Sequence, residues 1–299
     1  MELRVLRYFL AVVREESITA AAETLHITQP TLSRQLMELE EELGAQLLIR
    51  GGRSQKIALT EKGMLLRRRA EELVELADKT RLELDSGDEE ITGDITIGGG
   101  ETDAMRLIAR IAVELRRQYP AIRYHLYSGN AEDVSERMEK GLVDFGVFVE
   151  PAEIGKFECL RLPAADTWGL LVRRDHPLAA RKTVRPADLR GLPLLFSRQR
   201  LVSKSFADWY GGDAAELDLA ATYNLVFNAS LMVDEGFGCA VVLDKLVNTA
   251  GRSSLRFIPF EPKAESSLTI AWKKYQVFSR ASQVFLQRVR AMCSQDSPA

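Results

Sequence analysis

The chain has 299 residues, 46% of them hydrophobic and 28% charged, and a formal net charge of −3. These figures describe an ordinary globular protein with room for two or three domains. The slight acidity gives no global sign of nucleic-acid binding, so any such role has to rest on local charge. No apolar run reaches the roughly 18 to 20 residues that a membrane span needs, and no basic start with an apolar segment and cleavage site opens the chain. A cytoplasmic protein with no membrane partner is expected. Cys159, Cys239 and Cys293 are far apart and lack metal-ligand spacing, so they read as reduced thiols.

Leu6, Phe9, Leu10 and Val13 recur at helical spacing and predict an amphipathic helix over residues 2–13. Ser17 is placed to cap a second helix running to about Leu25. Thr28 is placed to cap a third, with Pro30 in its first turn, where a missing N–H does no harm. Ile27 and Leu32 flank that cap at the spacing of a hydrophobic staple. Leu32, Leu36, Leu39 and Leu43 give the third helix one apolar face, and Gly44 ends it. "LLIRGGRSQKIALT", residues 47–60, reads as two short strands around Gly51-Gly52 with basic residues at the tip.

From Glu61 to about Leu84 the pattern is a long solvated helix. Leu66, Ala70, Leu73, Ala77, Thr80 and Leu84 are spaced alternately four and three apart, a heptad seam that calls for a partner helix. Leu66, Leu73, Ala77 and Leu84 are its candidate dimerisation positions. "DSGDEEITG" then breaks the pattern as an acidic linker ending near residue 92. Beyond it strands and helices alternate: "DITIGG", "MRLIARIAVELRRQYP", "IRYHLYSG", "DVSERMEKG" and "VDFGVFV" form a βαβαβ unit with a parallel sheet. "TWGLLVR", "LPLLFS", "SKSFADWY", "LDLAATY", "NASLMVDEG" and "CAVVL" repeat that logic. "SLTIAWKK" and "SRASQVFLQRVRAM" return as a strand and a helix to the first α/β unit. Two α/β lobes joined by crossing strands make a clamshell whose cleft is the default ligand site.

The early helix, short turn and helix match the helix-turn-helix arrangement, whose second helix enters the DNA major groove. Ala20, Ala21 and Ala22 let the two helices approach closely. The opening of the third helix presents Gln29, Thr31, Ser33, Arg34 and Gln35, whose amide, hydroxyl and guanidinium groups suit base edges and phosphates. Its N-terminal partial positive charge favours a phosphate. From Gln29 to Met37 there is one basic residue and no acid. Glu38, Glu40, Glu41 and Glu42 follow, so that end should point away from DNA. Arg50, Arg53 and Lys56 around the Gly-Gly turn make a basic wing suited to phosphate or the minor groove. On pattern alone, a small helical bundle with a solvated basic hairpin remains the alternative.

Several residues carry a resemblance. Phe9, "S-x-T-x-A-A" from Ser17 to Ala22, Leu25, "T-Q-P-T-L-S-R-Q-L" from Thr28 to Leu36 and "L-E-x-E-L-G" from Leu39 to Gly44 resemble the LysR-type transcriptional regulators. So do "L-L-I-R" at Leu47 to Arg50, Arg53, and "L-T-E-K-G" at Leu59 to Gly63. The resemblance implies an N-terminal winged helix-turn-helix, a long linker helix and a two-lobed α/β effector domain of periplasmic-binding-protein type. Residues 1–60 would be the DNA-binding domain and 61–92 the linker, dimerisation helix and hinge. Residues 93–299 would be the effector domain, with lobe I over 93–162 and 266–299 and lobe II over 163–265. Carried over by position, Gln29, Pro30, Thr31, Ser33 and Arg34 are the expected DNA readers with Arg53 on the wing; Ser17, Thr19 and Arg50 complete the contact set. Leu48 departs from the family, which usually has Phe there. The implied partners are double-stranded DNA at a promoter or operator, a small-molecule effector, a second copy of the chain in dimers and tetramers, and RNA polymerase.

The same family fold places the cleft walls at Thr102, Ser128 and Phe148 on one side and Ser197, Arg198 and Asn228 on the other, a set suited to a small anionic metabolite. No cofactor or metal is expected. "GGGETDAM" at Gly98 lacks the glycine spacing of a dinucleotide loop and reads as a strand-end loop lining the cleft. "FSRQRLVSKSF", Phe196 to Phe206, is a solvated loop or a basic cleft wall. His26, His125 and His176 are isolated surface or turn residues, and no nucleophile, carboxylate pair or metal cluster stands out. The rival reading is a clamshell enzyme or solute-binding protein that uses its N-terminal module only for dimerisation.

Overall fold

The computed structural model describes residues 1–49, 57–85, 91–198, 204–212 and 216–295, and the chain divides into two compact units, Met1–Asp85 and Ser86–Ala299. In the first unit α1 (Leu3–Glu15), α2 (Ile18–Thr24) and α3 (Gln29–Leu43) are followed by β1 (Leu48–Ile49), β2 (Ala58–Leu59) and α4 (Glu61–Asp85). Leu6, Phe9 and Val12 of α1 meet Ala21 and Ala22 of α2 and Leu32, Leu36 and Leu39 of α3 in one buried core. Alanines at the α2 contact keep that helix close, because each adds only a methyl group to the gap. The Ser17 hydroxyl accepts from the Ala20 N–H at 3.3 Å and caps α2 as expected.

Two local expectations need correction. Thr28 holds the N-cap position of α3 with extended backbone, but its side chain does not cap. Its hydroxyl pairs instead with that of Thr31 at 2.8 Å. Leu43 does not share the buried face: the last turn of α3 extends past the core and leaves it 40% exposed.

The strands pair antiparallel, Leu48 opposite Leu59 and Ile49 opposite Ala58. Three devices lock this wing base to the helices. The Glu40 carboxylate accepts from the Leu47 and Leu48 N–H groups at 2.7 and 3.1 Å. The Thr60 hydroxyl donates to the Gln46 carbonyl at 2.7 Å and accepts from the Gly63 N–H at 2.9 Å, which caps α4. Gly63 then runs so close to β1 that a Cβ there would lie 2.1 Å from the Leu47 carbonyl oxygen. The "L-T-E-K-G" motif is thus a cap followed by a close approach.

The heptad seam of α4 is divided. Ala70 is buried and Leu66 half-buried against α1 to α3, so these two positions serve the unit's own core. Leu73 is 41% exposed and Ala77 half-buried. The Leu84 side chain lies outside the described residues.

The second unit opens with β3 (Gly93–Gly99), α5 (Met105–Gln118), β4 (Ile122–Ser128), α6 (Ala131–Glu139) and β5 (Phe145–Val149). The 17-residue β6 (Phe157–Arg173) leads through two short 3-10 turns to β7 (Leu194–Ser197). Then come α7 (Lys204–Tyr210), β8 (Leu219–Tyr223), α8 (Val226–Asp234), β9 (Cys239–Leu243), β10 (Leu255–Pro259), β11 (Glu265–Lys273) and α9 (Arg280–Gln295). Hydrogen bonding orders the strands β4-β3-β5-β11-β6-β9-β7-β8, with β10 also on β6. The β4-β3-β5 and β9-β7-β8 ends are parallel, while β5-β11-β6-β9 run antiparallel.

β6 and β11 cross between the lobes. Phe157 to Arg161 pair with the Thr269 to Lys273 end of β11 in the first lobe, and Trp168 to Leu171 pair with β9 in the second. Between them the β6–β11 register slips, with Ser267 opposite Ala165 and Thr269 opposite Arg161. Such an irregularity bends the ribbon and marks where one lobe turns into the next.

Strand parity sorts the cores. In the second lobe Leu170, Val172 and Val241 face one layer while Leu171, Ala240 and Val242 face the other, under α8. In the first, Phe145 and Val147 face α5 and α9, and Phe148 falls on the α6 side.

Candidate functional site

The exposed surface at the start of α3 consists of Gln29, Pro30, Thr31 and Arg34, with Ser33 half-buried behind them. Thr19 on α2 is exposed, whereas Ser17 is half-buried with its oxygen committed to the cap. Arg34 is tied to Glu38 one turn on, Nε to Oε1 at 3.6 Å, and the Gln35 amide donates to the same carboxylate at 2.6 Å. The helix therefore offers a polar, acid-free N-terminal face whose guanidinium is lightly held from behind. Arg50, Arg53 and Lys56 lie outside the described residues. Sequence reading assigned the glutamates after Met37 only a repulsive role; Glu40, bonded to two β1 amides, is a structural post of the wing.

Beside α4 an open apolar groove of about 670 Å³ is lined by Leu3 and Leu6 of α1 and by Leu73, Leu76 and Ala77 of α4. At its side the Arg7 guanidinium holds Asp78, Nη1 to Oδ2 at 3.0 Å, which keeps that carboxyl below its ordinary range. Groove and ion pair together present an apolar strip edged by charge on the seam's distal half.

In the second unit a pocket of about 380 Å³ opens where the β3–α5 loop faces the loop after β9. Its lining includes Gly100, Glu101, Thr102, Asp103, Ser128 and Lys245. Of the six expected wall residues, Thr102 and Ser128 are brought together here. Phe148 is a correction: it is 2% exposed, and a Cβ on Gly146 would lie 2.5 Å from its ring. Both faces of β5 are covered, so parity sends this side chain into the layer under α6 rather than into the cleft. Ser197 at the end of β7 is half-buried, and Arg198 and Asn228 are exposed; none of the three lines this pocket. The rest of the basic loop, residues 199–203, lies outside the described residues.

Thr102 is buried and joins the loop to the crossing strand. Its hydroxyl donates to Asp166 Oδ2 at 2.5 Å and accepts from the Ala104 N–H at 3.1 Å. Burial pushes the Asp166 carboxyl above its ordinary range; the Thr102 bond only partly offsets this, and the Asp103 charge adds to it. Burial alone would raise Asp103 as well, but Arg106 at 2.6 Å and Lys245 at 3.5 Å overcome it and hold that carboxyl low. Both cations that line the pocket are thus occupied by Asp103, and the expected anionic preference has no support from Arg198. Glu101, Asp103, Asp166 and Lys245 were all missed from sequence. The first two stand in the "GGGETDAM" loop expected to line the cleft, and Asp166 lies in the part of β6 where charges and Pro163 break the apolar pattern.

Elsewhere, His176 accepts from the Leu178 N–H through Nδ1 at 3.2 Å and lies 3.7 Å from the Cys239 sulfur through Nε2. Burial pushes the Cys239 thiol up to about 11, the opposite of an activated thiolate. His26 occupies a left-handed turn, φ 55°, between α2 and α3. Among the described residues no helix is long and apolar enough to cross a membrane.

Comparison with known proteins covers nearly the whole chain. Residues 3–64 match the family described as bacterial regulatory helix-turn-helix protein, lysR family, and residues 88–294 match the LysR substrate binding domain. The Hca operon transcriptional activator HcaR of Escherichia coli (strain K12) is 28% identical over 279 residues, covering 92% of each chain. The regulator BudR of Raoultella terrigena is 27% identical, covering 96% of this chain and 99% of its own. Among solved structures, full-length CbnR complexed with its target DNA superimposes with a TM-score of 0.77 at 21% identity, covering 98% of this chain and 100% of that one. Full-length BenM gives 0.54 at 26% identity, covering 99% and 98%. A family match that spans more than half the chain, laid over a helix-turn-helix and a two-lobed α/β unit, identifies it: the chain belongs to the LysR family of bacterial transcriptional regulators.

Proposed function

We propose that this regulator reads a specific double-stranded DNA site with Gln29, Pro30, Thr31, Ser33 and Arg34, with Thr19 and the wing residues Arg50 and Arg53 on the backbone. Ser17 serves by capping α2. The carrying observation is the polarity of α3: an exposed, acid-free first half and a glutamate-rich end bonded to the wing base. The solved complex of CbnR with its target DNA supports the same use of this fold.

The small-molecule effector is assigned to the pocket at Thr102 and Ser128, between lobe I (93–162, 266–299) and lobe II (163–265), with residues 61–92 as linker and hinge. The protein acts by binding, without a catalytic step of its own, in the cytoplasm and in contact with RNA polymerase. Self-association supplies its symmetry. Leu73, Leu76 and Ala77 offer one unpartnered apolar face. Phe227 and Leu231, one turn apart on α8 and 66% and 49% exposed, offer a second. Two distinct faces permit a dimer of dimers.

The test is fluorescence anisotropy on promoter DNA from beside the gene. Arg34→Ala is expected to weaken specific binding by about 1–3 kcal/mol while leaving non-specific binding nearly unchanged, as for a base-reading side chain. Equal binding of operator by wild type and variant removes α3 from the assignment. A thermal-shift screen of small metabolites on the full chain tests the pocket, because a bound effector raises the melting temperature by mass action.

A further inference from the structure

Glu101, Thr102 and Asp103 are consecutive, and each reaches out of lobe I. The Glu101 carboxylate accepts from the backbone N–H of Val226, the first residue of α8 in lobe II. Thr102 holds Asp166 on the crossing strand. Asp103 receives Lys245, which follows β9 in lobe II, at 3.5 Å. The α8 end has no side-chain cap of its own, since its N-cap residue is Leu225. A helix end leaves its first N–H groups without intrahelical partners, and a carboxylate there is favoured by both hydrogen bonding and the helix dipole. Lobe I therefore supplies the cap that lobe II lacks.

Lys245 also has an unusual backbone, φ 65°, while its own N–H is held by the Asp244 side chain at 2.8 Å. Asp244 is in turn anchored by its backbone N–H to the Thr167 carbonyl at 2.9 Å. The lobe II partner of the loop is thus fixed to the crossing strand just beyond Asp166.

We propose that the β3–α5 loop is an interlobe latch: Glu101 on the α8 N-terminus, Thr102 on Asp166 and Asp103 on Lys245 hold the two lobes in one arrangement, and the contacts release together. The latch forms one wall of the pocket, so opening it changes the pocket's mouth. This consequence rests on the effector assignment above; the latch itself does not, and its test uses no effector.

The test is hydrogen–deuterium exchange of the full chain, followed at the Val226 amide by residue-level fragmentation. That amide is protected by Glu101 alone among the contacts described, so Glu101→Ala is expected to speed its exchange at least tenfold. Glu101→Gln, which keeps an acceptor oxygen, falls between it and wild type. The decisive variant is Lys245→Met, which keeps the side chain's apolar stem and touches neither Glu101 nor Val226. If the contacts release together, it speeds exchange at Val226 at least threefold, while Asp244, whose N–H bonds Thr167 within lobe II, keeps its wild-type rate. Exchange in the core strand β3 at the wild-type rate shows that each variant is folded. Unchanged exchange at Val226 in folded Lys245→Met means the contacts are independent and overturns the latch. Unchanged exchange in folded Glu101→Ala removes Glu101 from it.

Discussion

Replacing Gly63 by alanine sets two large effects against each other. In the first turn of α4 alanine should help, since glycine inside a helix is about 1 kcal/mol less favourable. The added Cβ, however, would lie 2.1 Å from the Leu47 carbonyl oxygen and 3.0 Å from Leu59 Cδ2. Ordinary carbon–oxygen contacts begin near about 3.3 Å, so β1 or the start of α4 has to move by roughly 1 Å. The same carbonyl accepts from the Thr60 N–H at 3.0 Å and from its hydroxyl at 3.3 Å. Losing two hydrogen bonds costs about 1 kcal/mol each, and overpacking costs about 1–3 kcal/mol more. After the helix gain is subtracted, the variant is less stable by about 2–4 kcal/mol. Calorimetry of the full chain should show the first unit's transition lowered by roughly 10–30 °C, with the second unit's unmoved and operator affinity falling with the wing. A first transition at or above the wild-type temperature would refute the reasoning that close approach, and not turn conformation, selects glycine here.

Glu38→Gln frees Arg34 from its exposed partner and removes an acid from the DNA-reading helix; operator binding by anisotropy should tighten about twofold or more, most at low salt, and weaker binding would contradict a DNA-facing Arg34. Leu73→Glu places like charges in the apolar groove, so sedimentation should show smaller species and weaker operator binding; an unchanged oligomer removes the groove from self-association. Asp166 has its folded carboxyl raised above the unfolded value of about 3.9, so the native state holds its proton longer and the wild type loses stability as pH rises through that window. Asp166→Asn escapes this loss and should melt above wild type at neutral pH, with the advantage shrinking toward about pH 4; a pH-independent difference would show that Asp166 is not strained by burial.

The first unit was legible because its signals are local. Capping at Ser17, Pro30 in a first turn, the leucine period of α3 and the alanine contact all act within a dozen residues. Thr28 and Leu43 mislead where the surroundings decide the outcome: Thr31 takes the hydroxyl, and among the described residues the last turn of α3 is left partly open. The seam of α4 was visible as a period, but a period does not say that Leu66 and Ala70 face their own core while Leu73 faces outward. In the second unit the alternation of strands and helices was readable and the join was not. "TWGLLVR" is the end of a much longer strand whose earlier half, with its charges and Pro163, breaks the apolar pattern, and β10 has no counterpart among the expected elements. Phe148 failed on parity, since a strand covered on both faces gives no sign of which side a residue takes. The contacts from Glu101 and Asp103 join residues more than a hundred apart in the chain, beyond anything spacing can reveal.

The division of α4 makes it a lever. Its 25 residues span about 37 Å, and its near end is clamped to α1–α3 and to the wing by Ala70, Thr60 and Gly63. With one end clamped, the far end cannot tilt unless the reading helix turns with it. A tilt of about 5° over that length sweeps the far end about 3 Å, while the clamped end only turns by the same angle. Motions of the far end too small to change any fold would then be felt at α3 as a turn of the same few degrees.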